Sequence, residues 1–212
     1  MIPIGDERSN RRIVPFFTFI FILVNVVVFF LEVNRGDAFI EKWAFVPSRF
    51  NADPAGQLIT IFTSMFLHGG WMHLVSNMLY LWIFGDNVED RFGHLKFIFF
   101  YLFSGTLAVL TQYLFNPGSD IPLVGASGAI AGVLAAYMVL FPSKNVRVLM
   151  GLWIIRVRAV IVIGLWFIIQ LVSGYALLDN MGDGGGVAYL AHIGGFVGGL
   201  ILTLFFREKN RS

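Results

Sequence analysis

The chain has no cysteine among its 212 residues, which excludes disulfides and thiolate metal sites and leaves the redox compartment open. It is also poor in charge, with 13% Asp, Glu, Lys and Arg, where an ordinary soluble domain carries about a quarter. No basic stretch is interleaved with exposed aromatics, so a pI near 9.0 does not amount to a nucleic-acid footprint and no nucleic-acid partner is expected. The first apolar run, Ile13 to Leu31, is too long for a signal-peptide core and no small-x-small cleavage site follows it. It reads as a retained membrane span.

What remains is apolar. Hydrophobic residues make up 57% of the chain, and the mean hydropathy is +0.77. Phe and Gly contribute 23 residues each, a pairing that suits lipid-facing aromatics on closely packed helices. A transmembrane helix takes roughly 20 mostly apolar residues. Six segments qualify, some by sharing their ends with polar motifs: 13–32, 70–85, 95–115, 125–141, 159–178 and 187–206. The expected fold is therefore an all-α bundle of six transmembrane helices in a lipid bilayer. Leu58 to Leu67 is too short to span and reads as an interfacial or re-entrant piece. The apolar segment 147–158 carries Arg147, Arg156 and Arg158, which places it at a membrane surface.

Basic residues set the direction. With the N-terminus inside, the inner side takes Arg8, Arg11, Arg12, Arg91, Lys96, Lys144, Arg147, Arg156, Arg158, Arg207, Lys209 and Arg211, and the outer side only Arg35, Lys42 and Arg49. That bias puts both termini in the cytoplasm. The second, fourth and sixth helices then all enter from the outer face, and their first turns share one depth.

Those first turns hold the polar side chains. His73 and Asn77 open the second helix, Gly125-Ala126-Ser127-Gly128 the fourth, and Ala191-His192-Ile193-Gly194-Gly195 the sixth. An ionisable residue within a span is costly, and its default reading is functional. The fourth helix is short, about 25 Å from Gly125 to Phe141 against a hydrocarbon core of roughly 30 Å. The Pro- and Gly-containing linker 116–122 before it has to dip below the surface, where non-helical backbone survives only buried in protein or lining a wet cavity.

Ser127 is thus expected at the floor of a water-filled pocket open to the outer face. A serine hydroxyl needs a base to take its proton, and His192 enters at the right depth to do so. The backbone N–H of Ser127, at a helix start, can hold a developing oxyanion. Asn77 offers further donors, and His73, four residues earlier, faces the same way. No acidic residue lies in the outer halves of these three helices to orient His192, so the expected machinery is a Ser–His dyad. Gly128-x-x-x-Gly132 can pack against Gly195-x-x-x-Gly199 and bring the two side chains together.

Each of these features alone has a plain explanation. Small-residue pairs pack inert helices, Asn77 can glue two helices, and a histidine in a span can bond a carbonyl. His68 reads as a loop residue and His94 as part of a cytoplasmic turn. The coincidence of four groups at one depth is what favours chemistry.

The residues resemble the rhomboid family of intramembrane serine proteases. The matching pieces are His68-Gly69-Gly70-Trp71-Met72-His73-Leu74-Val75-Ser76-Asn77, Gly85-Asp86-Asn87-Val88-Glu89, Gly125-Ala126-Ser127-Gly128 and Ala191-His192-Ile193-Gly194-Gly195, in family order and spacing; Trp43-Ala44-Phe45-Val46-Pro47 resembles a common start of the first loop. The resemblance implies a single six-helix protease domain over 1–212, of the kind common in bacterial plasma membranes. It also implies Ser127 as nucleophile, His192 as base and then acid, and Asn77, His73 and the Ser127 N–H as oxyanion donors. It implies no metal or organic cofactor. Substrates would be single-span membrane proteins, reaching the site laterally between the second and fifth helices and cut near small, weakly helical residues.

Two positions depart from the pattern. Some members carry an aromatic ring four residues after the serine, stacked on the histidine; here Ala131 stands there, so His192 is held by another neighbour or held less firmly. The Trp-Arg pair of the first loop is missing, although Trp43 and Arg49 lie nearby. On the fifth helix Trp166 and Phe167 are candidates for a gate. Two other functions compete. A non-catalytic rhomboid-like protein binding transmembrane clients would usually lack the serine or the histidine. A transporter or channel would show more intramembrane acids and internal repeats.

Overall fold

Each expected span is helical in the structure, a computed structural model that describes residues 2–7, 12–179 and 188–206. After strand β1 (Ile2–Asp6), helix α1 (Phe16–Arg35) is followed by four short helices: α2 (Asp37–Trp43), α3 (Pro47–Ala52), α4 (Pro54–Gln57) and α5 (Thr60–Thr63). Helices α6 (Trp71–Tyr80) and α7 (Asp86–Phe92) are joined by one wider turn of π-helix, Leu81–Gly85. Then come α8 (His94–Phe115), α9 (Ser127–Leu140), strands β2 (Asn145–Met150) and β3 (Trp153–Arg158), α10 (Ala159–Asp179) and α11 (Tyr189–Phe206). The expected first position of the sixth span, residue 187, lies outside the described residues, as do Arg8, Arg11, Arg207, Lys209 and Arg211.

Four helices, α1, α8, α10 and α11, are long and apolar enough to cross a bilayer. A fifth crossing is reached if Pro54–Phe66 and Trp71–Phe92, bent by 78° at the break between them, count as one broken span or re-entrant loop. α9, with 14 residues, is about 21 Å long and is shorter than these. It is also the most enclosed. Every residue from Gly128 to Tyr137 is buried, so α9 forms the axis around which α8, α10 and α11 pack.

Small residues allow that enclosure. A Cβ at Gly195 would fall on the carbonyl of Gly128, and one at Gly199 on the backbone of Gly132. On the opposite side, Gly128 and Gly132 face Ala108 and Ser104 of α8. α9 and α11 therefore meet backbone to backbone, and α8 closes on α9 through the small side chains of Ala108 and Ser104. Below this layer the core becomes aromatic, with Phe21 stacked on Tyr101 at 4.3 Å and Phe84 edge-on to Tyr137 at 4.9 Å.

The fold is mostly helical, but the all-α expectation omits a small sheet. β1, β2 and β3 form an antiparallel sheet in that order. In the segment 145–158, Val146 and Val148 are buried while Arg147 between them is exposed, a period of two that suits a strand. Gly151, at φ +63°, makes the turn of the hairpin. Pairing with β1 brings the N-terminal segment to the same end of the bundle as the α9–α10 connection. Asp6 reaches inward there and accepts hydrogen bonds from the Tyr137 hydroxyl at 2.7 Å and the Asn87 amide at 3.0 Å.

The start of α1 is capped from a distance. Pro15 offers no capping side chain. The fully buried Glu89 of α7 instead accepts the N–H groups of Phe17 and Thr18 at 2.9 and 2.7 Å, and the Thr18 hydroxyl at 2.7 Å. A carboxylate at a helix N-terminus satisfies orphan donors and the helix dipole together. His94, expected as a turn residue, opens α8 and bonds the same carboxylate at 2.7 Å.

The α9–α11 contact has a direct test. Gly199→Ala puts a methyl group into backbone that has no side chain to move aside. The expected loss of stability is about 1–3 kcal/mol, as for other overpacked sites, read as a lowered midpoint in thermal unfolding of the detergent-solubilised protein.

Candidate active site

Ser127 is the first residue of α9, and its position depends on the irregular chain before it. That linker is tied to the first connection along its length. Leu123 and Phe45 exchange backbone hydrogen bonds, with the Leu123 N–H donating at 2.8 Å and the Phe45 N–H at 3.3 Å. The Gly125 N–H donates to the Ser64 carbonyl at 2.9 Å, and the Ser48 N–H to the Ser119 carbonyl at 3.1 Å. The Asn51 amide donates to the Pro117 carbonyl at 2.6 Å. Non-helical backbone beside a bilayer is stable only with its polar groups matched in this way. The buried run Ala44-Phe45-Val46-Pro47 therefore serves as the wall against which the linker is fixed.

The side chains of Ser127 and His192 meet. Oγ of Ser127 lies 2.8 Å from Nε2 of His192. The other ring nitrogen, Nδ1, lies 2.7 Å from Oε1 of Gln170 on α10. Gln170 is 6% exposed and was not among the expected site residues. Its amide N–H₂ donates back to the Trp166 carbonyl at 3.4 Å, one helical turn earlier. The Trp166 ring stands 5.7 Å from the imidazole, tilted by 37°. Ala131 is fully buried and supplies no ring. Phe167, the other gate candidate, stacks at 4.0 Å on Phe196 of α11.

His73 and Asn77 line the same cavity as Ser127 and His192, a space of about 720 Å³. The Gly69 N–H donates to Nδ1 of His73 at 3.3 Å. A neutral imidazole accepting at Nδ1 carries its proton on Nε2, and that edge of His73 packs against Gly125 near Ser127. The Nδ2 group of Asn77 is buried and has no hydrogen-bond partner within the protein. Buried donors without partners are uncommon and call for an explanation. Here the explanation is the cavity, which an oxygen of a bound group can fill.

Behind His73 lies His68, which is more than a loop residue. It is 1% exposed, its ring sits edge-on to His73 at 5.1 Å, and its backbone N–H donates to the buried Glu32 carboxylate at 3.0 Å. Among the described residues no group of three or more His, Cys, Asp or Glu could hold a metal ion. Adjoining the main cavity is a smaller one of about 160 Å³ between α6–α7 and α10, with Tyr80, Leu134 and Trp166 lining both.

Chemically, the arrangement offers a hydroxyl on an imidazole, an imidazole held by a third group, and an unpaired amide donor, Asn77, in the same cavity. The comparisons with known proteins identify the family. Residues 55–209 match the Rhomboid domain. The chain is 34% identical over 189 residues to Rhomboid protease GluP of Bacillus subtilis (strain 168), covering 87% of this chain and 34% of that protein. It is 32% identical over 149 residues to the chloroplastic Rhomboid-like protein 11 of Arabidopsis thaliana, covering 66% of this chain and 50% of that protein. To the putative rhomboid protease YdcA of Bacillus subtilis (strain 168) it is 28% identical over 201 residues, covering 93% and 92%. The chain thus spans about a third of GluP and half of the chloroplast protein, and nearly all of YdcA. It belongs to the Rhomboid family and is an integral membrane protein.

Gly125 tests how tightly the site is built. Its φ of +124° is unfavourable for any residue with a Cβ, and that Cβ would collide with the His73 ring. Gly125→Ala is expected to lose about 1–3 kcal/mol from the backbone conformation alone. Thermal unfolding in detergent, with Gly118→Ala as the unhindered control, measures it.

Proposed function

We propose that this protein is an intramembrane serine endopeptidase that cuts single-span membrane proteins in or near their transmembrane segments. The observation that carries the reading is the 2.8 Å contact between Ser127 Oγ and His192 Nε2 at the edge of a cavity that the unpaired amide of Asn77 also lines. Ser127 attacks the scissile carbonyl carbon while its proton passes to Nε2 of His192. The carbonyl oxygen, now negative, is received by the Ser127 N–H, the Asn77 amide and Nε2–H of His73. Collapse of that intermediate expels the amine, which takes the proton from His192 and leaves an acyl-enzyme. Water, activated by the same histidine, then releases the acid and restores Ser127.

The four long helices, the broken α6–α7 segment and α9 are read together as six crossings in one domain over 1–212, with α9 as a short fourth crossing. Charge asymmetry supports a topology with both termini in the cytoplasm and the cavity toward the outer face, and the family resemblance supports a bacterial plasma membrane. The crevice between α6–α7 and α10 supports lateral access of a substrate helix, with Trp166 at the junction of crevice and cavity.

A fluorophosphonate probe tests the reading without a known substrate. Wild type is expected to label, and Ser127→Ala and His192→Ala to abolish labelling while keeping the fold. Asn77→Ala is expected to retain labelling but slow it, by roughly 100- to 1,000-fold if it acts as a full oxyanion donor. A folded wild type that neither labels nor cleaves a transmembrane substrate in lipid would instead be a client-binding relative without activity.

A further inference from the structure

We propose that Gln170 is a positioning residue for His192, so that the operative unit is Ser127–His192–Gln170, drawn from α9, α11 and α10. The inference rests on the protease reading above and adds to it a residue that the dyad leaves out.

The argument begins with the amide. Gln170 lies in the apolar run Ile168-Ile169-Gln170-Leu171-Val172 and is nevertheless buried. A buried amide has to find partners, and this one finds two. Its N–H₂ donates to the Trp166 carbonyl, which turns its oxygen toward Nδ1 of His192 at 2.7 Å. An amide oxygen can only accept. Nδ1 must therefore carry the proton, and Nε2 is left as the acceptor facing the Ser127 hydroxyl at 2.8 Å. A general base needs that tautomer. Held the other way round, the imidazole would present an N–H to Ser127 and could not take its proton.

Serine and cysteine hydrolases commonly hold the catalytic histidine through a third group at Nδ1, and that group is an amide in some of them. A neutral amide selects the tautomer and fixes the ring plane without adding a charge to the membrane interior, where a carboxylate is costly. The remaining neighbours do not supply this function. His73 is the titratable group across the cavity, on α6, and its Nδ1 is engaged by Gly69. Trp166 offers a ring face to the imidazole and no acceptor. Ala131 offers a methyl group.

Two measurements test the proposal. The first is the rate of fluorophosphonate labelling of Ser127 in Gln170→Met and Gln170→Glu. Met keeps the length and removes the acceptor, and Glu restores it. Gln170→Met is expected to label roughly 10- to 100-fold more slowly than wild type, part of the 10²- to 10⁴-fold that acid–base catalysis contributes. Gln170→Glu is expected to recover most of that loss. A role confined to packing predicts the reverse order, since Met fits an apolar surrounding better than Glu. The second measurement is nitrogen NMR of the isotope-labelled histidines in wild type, with His192 assigned by its loss in His192→Ala. The expected signature is a single tautomer protonated at Nδ1, giving way to a mixture in Gln170→Met. Wild-type labelling rates in Gln170→Met, or a wild-type His192 protonated at Nε2, would overturn the proposal. If wild type does not label at all, the protease reading fails on that result, while the tautomer still decides the role of Gln170.

Discussion

The distance between the backbones of α9 and α11 controls the rest of the structure. Ser127 and His192 are 65 residues apart in sequence, and each has a short side chain, so their helices have to touch for the side chains to meet. Gly128 and Gly195 make that possible, because a single methyl group at Gly195 would rest on the Gly128 carbonyl. Lipid provides no hydrophobic drive to press helices together, and close approach depends on small residues that let dispersion forces and backbone dipoles act over a long seam. The Ser127–His192 pair stands at one end of such a seam, where α9 begins. Packing and chemistry thus make the same demand on the same residues.

On the proposed topology α9 starts below a membrane surface, which creates a second demand. The linker before Ser127 has backbone groups that no helix satisfies, and water is scarce at that depth. The first connection answers it by offering carbonyls and N–H groups at Phe45, Ser48 and Ser64 and the Asn51 side chain. The buried amide nitrogen of Asn77, by contrast, has no partner within the protein and lines the cavity with Ser127. On the protease reading, an unmatched donor beside Ser127 is where the oxyanion charge develops.

Much of this was legible in the sequence because a polar residue in an apolar run is conspicuous. Ser127, His192, His73 and Asn77 could be brought to one depth by counting spans and charges, and the structure gathers them around one cavity. Gln170 bears the same mark, yet a search for an acid to orient His192 passes over a neutral amide. The β2–β3 hairpin was readable from the alternation of Val146, Arg147 and Val148 and the turn at Gly151, but a composition so dominated by apolar helices hides a period of two. Other features are long-range and leave no local trace. Glu89 caps a helix 71 residues earlier, Asp6 accepts from Tyr137 across 131 residues, and Leu123 pairs with Phe45. No periodicity or spacing reports such pairings.

The replacement of a ring by Ala131 and the presence of Gln170 belong together. α9 is buried from Gly128 to Tyr137, and the Ala131 side chain is fully buried there and carries no ring. Support for His192 then has to come from a different helix, and α10 is the one that faces the imidazole, through Trp166 and Gln170. That choice has a structural consequence. α10 also forms one wall of the crevice beside the cavity, whereas α9 is locked in the core. A histidine braced from α9 would be indifferent to movement of that wall. Braced from α10, His192 keeps its partner only while the wall stays in place, so the geometry of the base and the width of the crevice are tied to the same helix.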